Sequence, residues 1–400
     1  MPRLIASTLA SAHGLGLDAL AAALAANQSA LQPNDSPDWP LATAVGRVAE
    51  LEHQPWPADW QAWDSRATRL AWLGLQGDGF ADAVLRARQR HGAARVGLVI
   101  GSSASTIGAS ESAYRQLAAD GGFASAQRQP RLHTPHALAD FVQQALGLQG
   151  PALTVSTACS SGAKALAVGE RWLRLQLADA VVVGGIDALS GSLLYGFNAL
   201  GLLDPQPCRP FDAARRGISI GEAAAYTLLV RDDEAAAGPD EDAVQLLGYG
   251  ERSDAHHMSS PHPQGLGAEQ ALDAALARAG LDSAAAIDFV SLHGTGTAAN
   301  DEVEAALLAR RYAGSVHASA TKGLSGHTMG AAGLLQALVC VLALQRGLLA
   351  GSGPTAAPDP AFGAAFAERW KARPAQRRIR RAASHAFGFG GNNCVLVFGC

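Results

Sequence analysis

The sequence is poor in charged and aromatic residues: 16% of its residues are charged and 6% are aromatic. The formal net charge is −4, so the chain lacks the basic excess that usually accompanies binding to nucleic acid or to an anionic membrane. We therefore expect neither partner. An acidic protein partner would have to be met by a local basic cluster.

Long hydrophobic runs and clustered cysteines are also absent. No stretch reaches the ~18 uninterrupted apolar residues of a membrane span, and the opening run MPRLIASTLASAHGLG is too short for a secretory signal. The five cysteines are scattered and form no C-x-x-C pair, which argues against a zinc site and a disulfide framework. These absences predict a cytoplasmic protein without a bound metal.

The residues that are present indicate a folded α/β protein. The chain has 400 residues, of which 48% are hydrophobic, and it contains 44 glycines. Short apolar runs such as RVGLVIGSS, ALTVSTA and DAVVVGGID precede turns, as buried strands do. An Ala-rich helix pattern lies between ALTVSTA and DAVVVGGID. A similar order returns after an acidic stretch near 231–243. We therefore predict two similar halves, 1–235 and 236–400, with two mixed sheets around central buried helices.

One cysteine has an unusual position. Cys159, in TVSTACSSGAKAL, lies between a β-branched run and a helix expected to start near Ser161. Most buried cysteines are small packing residues, as we expect for Cys340 and Cys394. A sulfur at a helix N-terminus is different, because unpaired N–H groups and the helix dipole favour the thiolate. The sequence therefore predicts that Cys159 is a nucleophile.

Three further segments carry candidate functional groups: LHGTGTAAND, TKGLSGHTMGAAG and AFGFGGNN. Each is weak evidence alone, because a lone histidine after a strand is usually structural and a glycine-rich bend can simply require positive φ. Together with STACSSG, and in this order, they resemble the β-ketoacyl-acyl-carrier-protein synthases of the thiolase superfamily. CRPFDAARRGISIGEAAA resembles another segment of that family.

The resemblance extends to one branch of the family. Thiolases have a second catalytic cysteine, and initiating synthases have asparagine in place of one histidine, whereas His293 and His327 are both present here. This pattern resembles the elongating, decarboxylating synthases. It implies an α/β thiolase fold, a duplicated five-layer αβαβα arrangement, and no cofactor beyond the phosphopantetheine that an acyl carrier protein brings.

The resemblance also implies the reaction and the main catalytic roles. Cys159 takes an acyl chain as a thioester, and malonyl on a second carrier then loses CO₂. His293 and His327 donate hydrogen bonds to the enolate oxygen that forms. Lys322 supports the site electrostatically; a surface lysine is the alternative, but beside a catalytic histidine in a Gly-Ser-Thr turn we expect it to be buried and paired.

Other roles follow from the same resemblance. The N–H groups of Cys159 and Phe389 would form an oxyanion hole, and Phe389, flanked by Gly388 and Gly390, would act as a gate. Thr295 and Thr297 offer hydroxyl groups to a pantetheine arm.

A departure from the family concerns the partner of Lys322. The position nine residues after His327 is Gln336, where elongating synthases usually carry a glutamate that pairs with the lysine. A buried ammonium needs compensation, so we expect Asp301 or Glu304 to serve as a substitute carboxylate. Both residues could equally be caps of the helix that follows.

A carrier-docking surface is predicted from helical spacing. Arg66 and Arg69 lie at i, i+3 in WDSRATRLAWLG, which would place two basic groups on one helix face for an acidic carrier. An ordinary pair of solvated arginines explains the same spacing. The sequence does not choose between these interpretations.

Two rival functions remain at this level. A non-catalytic, chain-length-determining subunit of a ketosynthase heterodimer would have the same fold, but such subunits typically lack the cysteine. A cysteine hydrolase would need a base and an orienting group beside its thiol. We expect a homodimer, or a heterodimer with a chain-length factor, in fatty-acid, polyketide or aryl-polyene synthesis.

Overall fold

The computed structural model describes residues 1–117, 121–124, 128–231 and 243–400. The predicted boundary between residues 235 and 236 lies outside these ranges. The strands are β1 (Pro2–Ser11), β2 (Gly14–Leu15), β3 (Gln32–Pro33), β4 (Ala44–Gly46), β5 (Val96–Gly101), β6 (Ala152–Val155), β7 (Ala180–Asp187), β8 (Ile220–Gly221), β9 (Ala223–Arg231), β10 (Gln245–Ser253), β11 (Phe289–Ser291), β12 (His317–Ser319), β13 (Leu348–Leu349), β14 (Ala375–Gln376), β15 (Arg381–Gly388) and β16 (Asn392–Gly399).

Helices pack on the outer faces of the main sheet and between its two halves. They are α1 (Leu17–Ala26), α2 (Arg66–Leu75), α3 (Phe80–His91), α4 (Ile107–Arg115), α5 (Ala137–Ala145), α6 (Ser161–Arg174), α7 (Gly191–Ala199), α8 (Leu266–Arg278), α9 (Ala298–Arg311), α10 (Lys322–Ser325), α11 (Ala332–Arg346) and α12 (Gly363–Arg369).

The two halves of the main sheet repeat one strand pattern. The first half has the order β6-β5-β7-β9-β1 and the second β12-β11-β15-β16-β10. In each half, the first three strands are parallel to one another, and each of the last two is antiparallel to the strand before it in this order. The halves meet through the pair Arg3↔Gln245, so the two predicted sheets are joined edge to edge. The repeat agrees with the predicted duplication.

Two helices form the middle layer of the molecule. One apolar core contains residues of α6, residues of α11 and the inner faces of both half-sheets. A second core packs the first half-sheet against α2, α3 and α5, and a third packs the other half-sheet against α8 and α9. This gives the predicted five layers.

The middle helix α11 is apolar on all sides because it is enclosed. Among the described residues, one helical segment, Met329–Arg346, is long and apolar enough to cross a membrane, and 89% of it is buried inside the protein. Burial of this kind is typical of a core helix.

The fold brings the predicted site residues to one region. Strand β6 leads into Cys159 and α6, β11 leads into His293, and β12 leads into Lys322. Because the carboxyl ends of parallel strands open on one edge of a sheet, residues that follow them can share a crevice. The duplicated arrangement then faces the cysteine of one half toward the histidines of the other.

Candidate active site

Cys159 occupies a tight turn between β6 and α6. Helix α6 begins at Ser161, as predicted, and Cys159 is 4% exposed. Ala158 has φ +53°, a left-handed conformation that is uncommon for alanine. The hydroxyl of Ser161 accepts a hydrogen bond from Thr157 N (2.9 Å) and donates to Ala158 O (2.6 Å). The turn therefore fixes the sulfur at the helix end.

The thiol of Cys159 is protonated at rest, contrary to the sequence prediction of a favoured thiolate. Burial raises its pKa to about 11, against the opposing effect of the Lys322 charge and of backbone N–H groups at Phe389 and Cys159. Desolvation of the charged form outweighs the helix N-terminus here. The nucleophile must therefore be generated when substrate arrives.

His327 is held as a hydrogen-bond donor. Its backbone bridges the segment around Ser219 and Gly221, with His327 N donating to Ser219 O (2.7 Å) and Gly221 N to His327 O (2.9 Å). Its ring Nδ1 accepts from Met329 N (3.1 Å). Because burial lowers the pKa of His327 well below its usual range, the ring is neutral and its proton lies on Nε2.

His293 has the same tautomer for a different reason. The Lys322 ammonium lies 3.3 Å from His293 Nδ1 and also donates to His293 O. Burial, with Lys322 and His327 nearby, lowers the pKa of His293 well below its usual range. The two rings are 5.5 Å apart between centroids and nearly perpendicular, and one nitrogen of each ring lies within 4.8 Å of the Cys159 sulfur. Because both Nδ1 atoms are already occupied, we infer that the Nε2–H groups face the cavity that these residues share.

The same three residues have the composition of a metal site. The ligand atoms of Cys159, His293 and His327 lie within 4.8 Å of one another. A histidine that binds a metal normally donates its other N–H to an acceptor. Here both Nδ1 atoms face donors, Met329 N–H and the Lys322 ammonium, so the rings are arranged to donate hydrogen bonds.

Among the residues that the structure describes, the expected substitute carboxylates Asp301 and Glu304 form no direct ion pair with Lys322, although the charge of each acts on it. Its Nζ donates to Gln336 Oε1 (3.1 Å) and to His293. Burial lowers the pKa of Lys322 to about 8, and the Glu304 charge is the largest effect that opposes this shift. Gln336 is therefore a neutral partner of the lysine.

Asp301 and Glu304 hold the turn that carries His293. Glu304 accepts from His293 N and Gly294 N, each at 2.7 Å. Asp301 accepts from Phe211 N (2.7 Å) and Thr295 N (3.1 Å), and burial raises its pKa to about 6. Both carboxylates are fully buried, so they bind backbone N–H groups inside the protein and are not helix caps at the surface.

The glycine-rich loop lies against the nucleophile turn. A Cβ at Gly388 would stand 2.8 Å from Thr157 O, so only glycine permits this approach. Gly390 has φ +75°, which also favours glycine. The Phe389 N–H is directed at the Cys159 sulfur, and the Phe389 ring lies tilted against Phe197 with 5.6 Å between the ring centroids.

A cavity of about 380 Å³ opens onto these groups. It is lined by Cys159, the two histidines His293 and His327, the Phe389 loop, and Thr295 and Thr297. The two threonine hydroxyls are 2.8 Å apart. The structure thus brings together every predicted site residue except the arginines.

Comparison with known proteins identifies the family. The model "Beta-ketoacyl synthase, N-terminal domain" matches residues 66–235, and "Beta-ketoacyl synthase, C-terminal domain" matches residues 244–354. The chain belongs to the β-ketoacyl synthase family. Nodulation protein E of Rhizobium meliloti (strain 1021) is 36% identical over 310 residues, which are 76% of each protein.

Solved ketosynthases share the whole fold. A chain of the complex between the ketosynthase ApeO and its chain length factor ApeC, from Xenorhabdus doucetiae, is 33% identical with a TM-score of 0.86, and the match covers 100% of this chain and 97% of that chain. The ishigamide ketosynthase/chain length factor is 25% identical, also with a TM-score of 0.86, and covers 100% of this chain and 98% of its own. The predicted thiolase fold is confirmed.

The predicted docking pair of arginines is held in ion pairs within this β-ketoacyl synthase. Arg66 is ion-paired with the buried Glu222 and with Glu52, and its side chain is 13% exposed. Arg69 pairs with Asp64 (2.6 Å). Their i, i+3 spacing serves internal ion pairs, because both guanidinium groups turn toward acidic residues of neighbouring segments.

Sequence reasoning missed residues deeper in the site. His385 and Tyr312 are buried side by side behind the turn of His293, and Asn300 donates to Asp301 (3.1 Å). Asn300 lies within the quoted HGTGTAAND segment and could have been noticed there. His385 gives no such signal, because its hydrogen-bond partner Glu304 lies on a helix more than 70 residues earlier in the chain.

Proposed function

We propose that Cys159, His293, His327 and Lys322 carry out the decarboxylative condensation of this β-ketoacyl synthase. The Cys159 sulfur attacks an acyl-carrier thioester, the bond to the pantetheine sulfur breaks, and the thiol proton ends on the departing carrier. The observation that supports this most strongly is the pair of Nε2–H donors facing one volume beside Cys159.

The second half-reaction uses those donors. Malonyl carrier loses CO₂, and the electron pair of the broken C–C bond forms an enolate whose oxygen accepts hydrogen bonds from His293 and His327. The enolate carbon attacks the acyl-Cys159 carbonyl, and the C–S bond breaks to give the β-ketoacyl carrier. The N–H groups of Cys159 and Phe389 stabilise the tetrahedral oxyanion.

The hydroxyl groups of Thr295 and Thr297 are proposed to hold the pantetheine arm. Both line the cavity, at a turn that Asp301 holds through a hydrogen bond. The Phe389 ring, which packs against Phe197, would move to admit the acyl chain. The protein itself needs no cofactor, because the carrier supplies the phosphopantetheine.

We propose that this enzyme elongates acyl chains in a specialised pathway. ApeO and the "Putative polyketide beta-ketoacyl synthase 1" of Streptomyces halstedii, which is 34% identical over 67% of this chain and 66% of its own, support it. We propose a cytoplasmic enzyme and two halves that divide near residue 235.

A ketosynthase-like partner would cover the edge of the first half-sheet. Among the described residues, β6 pairs with β5 on one side only, and its Leu153 is 40% exposed. Two structural neighbours are ketosynthases with chain length factors, so we propose such a heterodimer. Co-expression with a candidate factor and light scattering would distinguish it from a homodimer.

Acylation tests the proposal against the non-catalytic rival. The enzyme is incubated with a labelled acyl carrier and digested, and label on the Cys159 peptide that is absent in Cys159→Ser is expected. A chain-length-determining subunit would take no label.

A further inference from the structure

His385 closes a ring of buried hydrogen bonds behind His293. Its Nδ1 lies 2.9 Å from Glu304 Oε1, and its carbonyl accepts from Gln336 Nε2 (3.0 Å). Glu304 in turn accepts from His293 N, while Gln336 accepts from Lys322, which donates back to His293. His385 and Glu304 are 0% exposed, so solvent does not replace these bonds.

The ring fixes the tautomer of His385. The Glu304 carboxylate is only an acceptor, so His385 Nδ1 must carry the proton that lies between them. In the neutral imidazole, Nε2 is then an acceptor, and it lies 2.7 Å from the Tyr312 hydroxyl. Tyr312 therefore donates to His385, and His385 donates to Glu304.

Glu304 has two tasks that depend on its charge. It anchors the backbone of His293 and Gly294, and it is the carboxylate that most raises the pKa of Lys322. Gln336 adds no charge, so the lysine depends on this more distant anion. A donor to Glu304 keeps that anion in place.

We propose that His385 is a positioning residue for decarboxylation, which donates a hydrogen bond to Glu304 and so holds the carboxylate that orients the backbone of His293. The proposal rests on the proposed function. His385 does not line the cavity with Cys159, so its effect would pass through Glu304.

Two substitutions of His385 separate the Glu304 contact from the Tyr312 contact. His385→Asn places an amide N–H near the original Nδ1 and can still donate to Glu304, whereas His385→Gln reaches toward Tyr312 and loses that donor. His385→Ala removes both contacts. His317→Ala is the matched control, because His317 is also a buried histidine but its ring bonds to Ala350 O (2.7 Å).

The rates of Cys159 acylation and of malonyl-carrier decarboxylation are measured for each variant. We expect His385→Ala and His385→Gln to lower the decarboxylation kcat about tenfold to a hundredfold, with acylation and the KM for malonyl carrier little changed. His385→Asn should stay within about threefold of the wild type. If Asn is as damaging as Ala, or if Ala is silent, the proposal is overturned.

An NMR arm keeps the test independent of turnover. Nitrogen-15 spectra of the histidine rings should show His293 as the Nε2–H tautomer in the wild type and in His385→Asn, and a disturbed His293 signal in His385→Ala and His385→Gln. Normal His293 signals in all variants overturn the proposal even if the wild type lacks activity. Wild-type inactivity with either carrier would instead refute the proposed function.

Discussion

The buried charge of Lys322 should cost the protein stability, and replacing the residue should reveal the cost. In Lys322→Met the ammonium is lost while the length and much of the volume of the side chain are kept. The side chain is buried and its direct partners are a neutral amide, a carbonyl and an imidazole. The variant therefore removes an incompletely compensated charge.

The size of the effect follows from the pKa of Lys322, which falls from its ordinary 10.5 to about 8. Each pH unit corresponds to about 1.4 kcal/mol, so protonating Lys322 in the folded state costs about 3 kcal/mol. Between pH 8 and 10.5 the unfolded chain keeps a proton that the folded chain has lost, and wild-type stability rises with pH. Below pH 8 the whole cost is present.

Urea unfolding from pH 7 to 10.5, at one protein concentration, measures this difference. The gain in unfolding free energy on going from wild type to Lys322→Met should be constant below pH 8 and should shrink by about 3 kcal/mol by pH 10.5. Unpaired acceptors at His293 O and Gln336 reduce the gain equally at every pH. Lys371→Met, on the surface, is the control. A gain that does not change with pH would refute the reasoning.

Three other predictions concern the nucleophile, the donors and the arginine cluster. Because the pKa of Cys159 is about 11, its alkylation by iodoacetamide should speed up about tenfold per pH unit from pH 7 to 9; a plateau would mean a preformed thiolate. His293→Ala and His327→Ala should each block CO₂ release yet leave acylation of Cys159 measurable by mass spectrometry, and the reverse pattern would mean that their roles are exchanged. Arg66→Ala leaves Glu222 buried without its ion-pair partner and should lower the free energy of unfolding, measured by heat or urea, by about 3–5 kcal/mol. The KM for carrier should not rise specifically, and a higher KM at unchanged stability would support the docking role.

The sequence carried the parts of the site that local patterns encode. The helix start at Ser161 and the strand ends before His293 and Lys322 depend on neighbouring residues in the chain. Together, the four motifs resembled a known family, and that resemblance supplied the predicted fold.

Features that depend on distant partners were not predictable. The pKa of Cys159 is set by burial under segments far along the chain, and this desolvation outweighs the helix N-terminus that the local pattern shows. Arg66 turns inward because Glu222, 156 residues later, lies beneath it. Residues that act through tertiary contacts, such as His385, have no sequence signature of their own.

The central claim is that Cys159 carries the acyl chain while His293 and His327 drive decarboxylation. The most direct test is intact-protein mass spectrometry of the enzyme with acyl carrier, followed by malonyl carrier. We predict one acyl adduct on Cys159 that disappears when malonyl carrier is added, with a β-ketoacyl carrier appearing in equal amount. An adduct on any other residue, or an acyl-Cys159 that persists while CO₂ is released and no β-ketoacyl carrier forms, would contradict the account.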